Sequence, residues 1–295
     1  MELAYKKILV IINPASGGDE PILNTLNDVF HPAGVEWDIR ITHKFGDATN
    51  LAKEAVAKGV DLVAGYGGDG TQMEIANGLL GSGIPMAILP GGTGNAMAHE
   101  LNVPLNLKRA AEMIISSSNR RLIDLARIGD RVFMLRAYSG VSAQDAASRE
   151  KKNQYGQLAY IQASLKILTH ISPTRFRAMV DGEVNEGEAL ICFILNAGSI
   201  GGVLGYNLPP IGNVSISDGY LDLFVVTRGI QPLVALSSHL SNIGDFHTGI
   251  YHWRAKEITL EIEPPQDVWI DGEIYGQTPV TTIAIPRAIE IVVPA

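Results

Sequence analysis

Residues 60–80, VDLVAGYGGDGTQMEIANGLL, decide how this chain folds. Val60 to Tyr66 is a short apolar run suited to a buried strand, and Thr71 to Leu80 reads as a helix. Between them stands YGGDGTQ, residues 66–72. Gly67, Gly68 and Gly70 let the backbone approach a bound group closely, and the helix start behind them presents unpaired N–H groups and a positive dipole end. Asp69 in their midst has the chemistry to hold Mg²⁺ or steer a nucleophile, and Thr71 to cap the helix and touch phosphate. A plain strand-to-helix turn needs fewer glycines, so the loop reads as a phosphate cradle.

Working outward, the same design recurs. IPMAILP (84–90) is a strand that ends in LPGGTGN (89–95), with Gly92, Thr93 and Asn95 as candidate contacts. KILVIIN (7–13) is a buried strand that ends in Asn13-Pro14-Ala15-Ser16-Gly17. Glu20 to His31 and Asp47 to Lys58 suit helices, and VEWDIRIT (35–42) suits a strand. The β-α-β-α order predicts an α/β domain with a parallel sheet covered by helices on both faces. All three loops then lie at the carboxyl edge of that sheet, where open α/β sheets bind ligands.

The pattern changes after Arg120. RVFMLRAYSG, RFRAMVDGEV, EALICFILNAG, GYLDLFVVT, EITLEIEPP and DVWIDGEIYG read as strands bounded by turn residues. Tyr155 to Thr169 and Pro232 to Asn242 read as helices. The second half is therefore mainly antiparallel β. The expected domains are 1–127 and 128–295, with the last ~10 residues returning to the first.

The 295 residues agree with two domains, and 46% hydrophobic against 18% charged residues indicates folded cores. The formal net charge of −8 disfavours nucleic acid as a partner. The lone Cys192, inside ALICFIL, excludes an intrachain disulfide framework and suits a reducing compartment. No apolar run is long enough to span a membrane or to form a signal-peptide core, so a cytoplasmic location is expected. Other chemistries lose ground on motif. There is no G-x-x-x-x-G-K-[ST], no G-x-S-x-G and no H-E-x-x-H, and Met73 and Met97 replace the third glycine of a dinucleotide fingerprint.

NPASGG, ITHKFGDA, GGDGTQMEIANGL, PGGTGNAMAHELNVP, RLIDLARI, KKNQYGQLAYI, SISDGYLDL and WIDGE together resemble the diacylglycerol kinase catalytic-domain family, which includes bacterial lipid kinases and the related sphingosine and ceramide kinases. The resemblance covers nearly the whole chain. It implies a nucleotide domain followed by a β-sandwich, with an active site in the cleft between them. It also implies phosphoryl transfer from ATP to a lipid hydroxyl, with Mg²⁺.

By position, the resemblance assigns ATP contacts to Asn13 to Gly17, Thr42, Gly67 to Thr71, and Thr93. It implies a Mg²⁺ near Asp218, with Ser215 and Tyr220 as carbonyl donors and Asp124 organising the surrounding network. The general base falls to Asp271 or Glu273. D-G-E occurs twice, and periodicity alone does not separate the copies; only the family pattern selects the second, which leaves Asp181 a hairpin role.

One departure stands out: Ala96 follows Asn95 where many bacterial members have Asp, so the acceptor need not be diacylglycerol. A lipid acceptor implies transient, peripheral membrane contact, for which Arg149, Lys151, Lys152, Arg175 and Arg177 are the candidate basic patch. The oligomeric state stays open, a homodimer included. An NAD kinase-like soluble kinase and a non-catalytic nucleotide-binding regulator are the competing readings. The PGGTGN loop and the placement of WIDGE argue against the first, and intact Asp69, Asp218 and Asp271 against the second.

Overall fold

A computed structural model describes residues 4–140, 172–198, 201–203, 206–207, 214–227 and 249–295. The two helices expected at 155–169 and 232–242, and the basic residues Arg149, Lys151 and Lys152, lie outside the described residues. The chain divides into two compact units, Met1–Asp124 with Arg287–Ala295, and Leu125–Pro286.

The first unit contains β1 (Lys7–Ile12), α1 (Ile22–Phe30), β2 (Glu36–Ile41), α2 (Asp47–Ala57), β3 (Leu62–Gly67), α3 (Asp69–Leu79), β4 (Met86–Pro90), α4 (Ala96–Glu100), α5 (Leu107–Ser116) and most of β5 (Arg120–Ile128). Strands β2-β1-β3-β4 run parallel in that order. The order reverses between β1 and β3, which makes their carboxyl ends a topological switch point. Every residue of β3 is buried, as a central parallel strand covered on both faces requires. Helix α1 packs with α5 and α2 with α3. In α5, Leu107, Ala110, Ala111 and Ile114 form the buried stripe, and Asn106 caps the start by accepting the Arg109 N–H at 3.1 Å.

Two local differences from the sequence reading bear on the site. Helix α3 begins at Asp69, because Gly68 takes the extended N-cap conformation. Thr71 therefore lies inside the first turn and caps nothing. Helices α4 and α5 also occupy a stretch for which the sequence reading named no element.

The second unit contains β6 (Arg131–Phe133), β7 (Arg136–Ser139), β8 (Thr174–Val180), β9 (Glu183–Ala189), β10 (Ile191–Leu195), β11 (Gly201–Val203), β12 (Tyr206–Asn207), β13 (Leu221–Val226), β14 (Ile250–Ala255), β15 (Glu257–Glu263), β16 (Asp267–Ile270), β17 (Glu273–Gln277) and the greater part of β18 (Val280–Val292). One antiparallel sheet has the order β14-β13-β10-β7-β16-β17, and β18-β15-β8-β9 form a second antiparallel run. Phe176, Ala178, Ile258, Leu260 and Ile262 from the second run join Cys192, Ile194, Leu221, Leu223 and Val225 from the first in one buried core. That is a β-sandwich, in which the central strands β7, β10 and β13 are buried along their whole length. The stretch read as a single strand at RVFMLRAYSG is two, because Asn196 enters the break. Its side chain donates to the Met134 carbonyl at 2.7 Å, and its backbone N–H donates to the Leu135 carbonyl at 2.9 Å. At its far end β18 belongs to the first unit, where Ile291 pairs with Met86 of β4.

Candidate active site

Three loops at the carboxyl ends of β1, β3 and β4 are tied together by backbone and short side chains. The Asn13 N–H donates to the Tyr66 carbonyl at 2.9 Å, and the Gly91 N–H to the Gly67 carbonyl at 3.1 Å. Asn13 Nδ2 donates to Thr71 Oγ1 at 3.1 Å, while Asn13 Oδ1 accepts the Ala15 N–H at 3.0 Å. Thr42, buried at the end of β2, donates its N–H to the Ile12 carbonyl at 3.0 Å and so closes the same edge. Pro14, Ala15, Gly17, Gly70 and Thr93 are exposed along the rim, and Ser16 is half-buried.

The glycines matter because the β3 and β4 loops meet backbone to backbone. A Cβ on Gly92 would lie 2.5 Å from the Gly68 Cα across the two loops, while inside the β3–α3 loop a Cβ on Gly67 would lie 2.6 Å from the Thr71 hydroxyl oxygen. Only glycine permits that approach. Asn95, itself at φ +46°, holds the β4 loop closed. It accepts the Gly92 N–H at 2.8 Å and donates to the Gly92 carbonyl at 2.7 Å. The result is a cradle of main chain at the start of α3.

Asp69 has a job in this cradle that its sequence position does not reveal. Its two carboxylate oxygens accept the Ala96 and Met97 N–H groups, each at 3.0 Å. It thereby fastens the β3–α3 loop to the first turn of α4. Each oxygen accepts one N–H, so as placed this carboxylate ties the two loops together.

The remaining predicted residues fall in three other places. Asp124, buried on β5, accepts the Arg287 N–H at 2.7 Å where the chain returns to the first unit. Asp218 follows Ser215 in a turn before β13. One oxygen accepts the Tyr220 N–H at 3.1 Å, and the other meets Arg254 Nη2 at 2.5 Å. Among the described residues no three Asp, Glu, His or Cys groups converge as a metal set. With the Asp218 carboxylate taken by a guanidinium, these residues as arranged do not fit a divalent cation.

The two D-G-E copies are the same device. Asp181-Gly182 and Asp271-Gly272 both turn a hairpin with two successive positive φ values, 46° and 92° in one, 47° and 99° in the other. In each, the Asp carboxylate accepts N–H groups where two strands meet: Lys256 and Glu257 at the β14–β15 junction for Asp181, Met134 and Arg136 at the β6–β7 junction for Asp271. Asp271 is therefore a turn clamp. Glu273 differs: it is 59% exposed and paired at 2.8 Å with Arg131 Nη2.

Four contributors went unnoticed in the sequence. Tyr66 donates its phenol hydrogen to the exposed Glu20 carboxylate, Gln72 donates to the Gly65 carbonyl at 2.9 Å, and Arg131 pairs with Glu273. Tyr66 and Gln72 flank the glycine motif and could have been suspected from that alone. Glu20 and Arg131 carry no local signal.

An α/β unit with glycine loops at the carboxyl edge of its parallel sheet, together with an antiparallel sandwich, is the architecture of a kinase family. Residues 7–128 match the diacylglycerol kinase catalytic domain, and residues 136–293 match the YegS C-terminal NAD kinase beta sandwich-like domain. The chain belongs to the diacylglycerol kinase catalytic-domain family. It is 29% identical over 301 residues to a Bacillus subtilis protein named "Diacylglycerol kinase", covering 98% of this chain and 97% of that one. It is also 29% identical over 264 residues to a Staphylococcus epidermidis protein named "Putative lipid kinase", covering 86% of this chain and 84% of that one. A crystal structure of a diacylglycerol kinase from Bacillus anthracis superimposes with a TM-score of 0.76 at 27% identity, covering 98% of this chain and 97% of that one.

Proposed function

We propose that this protein is an ATP-dependent lipid kinase that transfers the γ-phosphate to the hydroxyl of a diacylglycerol or sphingoid-like acceptor. The observation that carries the reading is the backbone contact between Gly68 and Gly92, which makes a main-chain cradle across two glycine loops at a switch point. ATP supplies the phosphoryl group. The Asn13 to Gly17 loop, Thr42, Gly67 to Thr71, and Gly92 to Asn95 hold its phosphates through N–H and hydroxyl donors.

In the transfer, the lipid oxygen forms a bond to the γ-phosphorus as the bond to the bridging oxygen breaks, and the hydroxyl proton goes to a carboxylate. Glu273 takes that role: its carboxylate is solvent-accessible and held in one orientation by Arg131, whereas the Asp271 carboxylate is spent on the hairpin. General-base assistance of this kind is worth about 10²–10⁴ in rate. Because the metal ligands implied by the family do not fit as arranged, no step is routed through an ion at Asp218.

The acceptor is insoluble, so the protein meets it at a membrane surface by peripheral contact. Among the described residues no helix is long and apolar enough to cross a membrane. Arg177 is already paired with Glu186 and Glu261, which shifts the basic contact toward Arg149, Lys151, Lys152 and Arg175.

The test is γ-labelled ATP offered with diacylglycerol, sphingosine and ceramide in vesicles, and separately with NAD. Label in a lipid product supports the reading. Label in NADP alone would replace it with a soluble kinase.

A further inference from the structure

Tyr66 is fully buried at the end of β3, yet two flanking loops carry glycines where they meet its ring. A Cβ on Gly91 would lie 2.8 to 3.1 Å from ring carbons, and a Cβ on Gly17 would collide with the phenol oxygen. The ring therefore props the β4–α4 loop, while its hydroxyl props the β1–α1 loop. Further along the β1–α1 connection, Glu20 Oε1 accepts the phenol hydrogen at 2.5 Å, which fixes the ring in place. A side chain that merely filled the core would not require a bare backbone on two separate loops, nor a carboxylate partner.

The ligand-side surfaces of these loops are Asn13 to Gly17 and Gly91 to Asn95, with Gly67 to Thr71 between them. We propose that Tyr66, anchored by Glu20, is a positioning residue that sets the spacing of the β1–α1 and β4–α4 loops for the polyphosphate of the nucleotide. The inference rests on the nucleotide-binding reading and extends it to a residue that touches no substrate. Burial and the Glu20 carboxylate both push the phenol's ionisation well above its ordinary value, so the hydroxyl remains a donor.

Two variants test it, with the full chain titrated with ATP by calorimetry and assayed for transfer. Tyr66→Phe keeps the ring and removes the anchor; the expected result is a Kd and KM for ATP raised about tenfold, with kcat within about twofold. Gly91→Ala pushes the loop off the ring and weakens ATP binding. The double variant Tyr66→Leu/Gly91→Ala relieves the contact and should bind ATP more tightly than Gly91→Ala alone, a coupling that distant, independent sites do not show.

A purely structural Tyr66 predicts the opposite: a lowered Tm for Tyr66→Phe, unchanged ATP affinity, and no rescue by the double variant. That outcome overturns the inference and leaves the nucleotide reading intact. Absence of ATP binding by the wild-type chain would overturn both.

Discussion

Glu273→Gln and Asp271→Asn look like equivalent losses of one negative charge in the same hairpin, yet the structure predicts opposite consequences. Glu273 is 59% exposed and its bond to Arg131 lies near the surface, so the pair contributes about 0–1 kcal/mol to stability. Removing its charge should leave the urea midpoint almost unmoved while lowering transfer by about 10²–10⁴.

Asp271 has φ +47° and accepts the N–H groups of Arg136 at 2.9 Å and Met134 at 3.2 Å. Asn tolerates that backbone but keeps a single acceptor oxygen, which costs about 1.5–3 kcal/mol for one charge-assisted hydrogen bond. Asp271→Ala forfeits both bonds and the local support for a left-handed residue, adding about 1–2 kcal/mol. The assay is urea unfolding followed by fluorescence of the buried Trp269, run beside lipid phosphorylation at a temperature where all variants are folded. An Asp271→Asn protein of wild-type stability without activity, beside an active Glu273→Gln protein, would refute the assignment of roles.

Gly92→Ala should weaken ATP binding by at least about tenfold, because its Cβ would press on the Gly68 backbone, which has no rotamer to yield; Gly18→Ala, with nothing within 4 Å of its Cβ, is the matched control in the same titration. Asp69→Asn should lower the melting temperature as well as activity, since one of its two bonds to α4 is lost at about 1.5–3 kcal/mol; a variant inactive at wild-type Tm would return Asp69 to a direct chemical role. Burial pushes the Cys192 thiol up to about 12, so the folded state holds its proton after the unfolded chain has released it. Stability should therefore fall as pH rises from about 8.5 toward 12, and Cys192→Ala should flatten that slope in pH-dependent melts.

The strands and glycine loops of the first unit were legible because their signals are local, whereas its helices α4 and α5 went unread. A fully buried strand such as β3 reads as an apolar run, and glycines cluster where backbone meets backbone. The sandwich was legible as strands, but its breaks were not: Asn196 splits RVFMLRAYSG from more than 50 residues away in sequence. The same holds for the site. Loop residues announced themselves by motif, whereas the duties of Asp69 and Asp271 depend on N–H groups that tertiary structure delivers. Duplicate D-G-E motifs illustrate the limit, since identical local turns leave the choice to partners such as Arg131 that only the fold supplies.

Transfer of a phosphoryl group to a lipid is read most directly from the stoichiometry of its products. Purified protein, limiting ATP with Mg²⁺, and vesicles carrying diacylglycerol or a sphingoid base are followed by phosphorus NMR to completion. One lipid phosphomonoester should appear for each ADP formed, with formation slowed about 10²–10⁴ in Glu273→Gln. ADP accompanied by inorganic phosphate, with no lipid phosphomonoester on any acceptor, would contradict it.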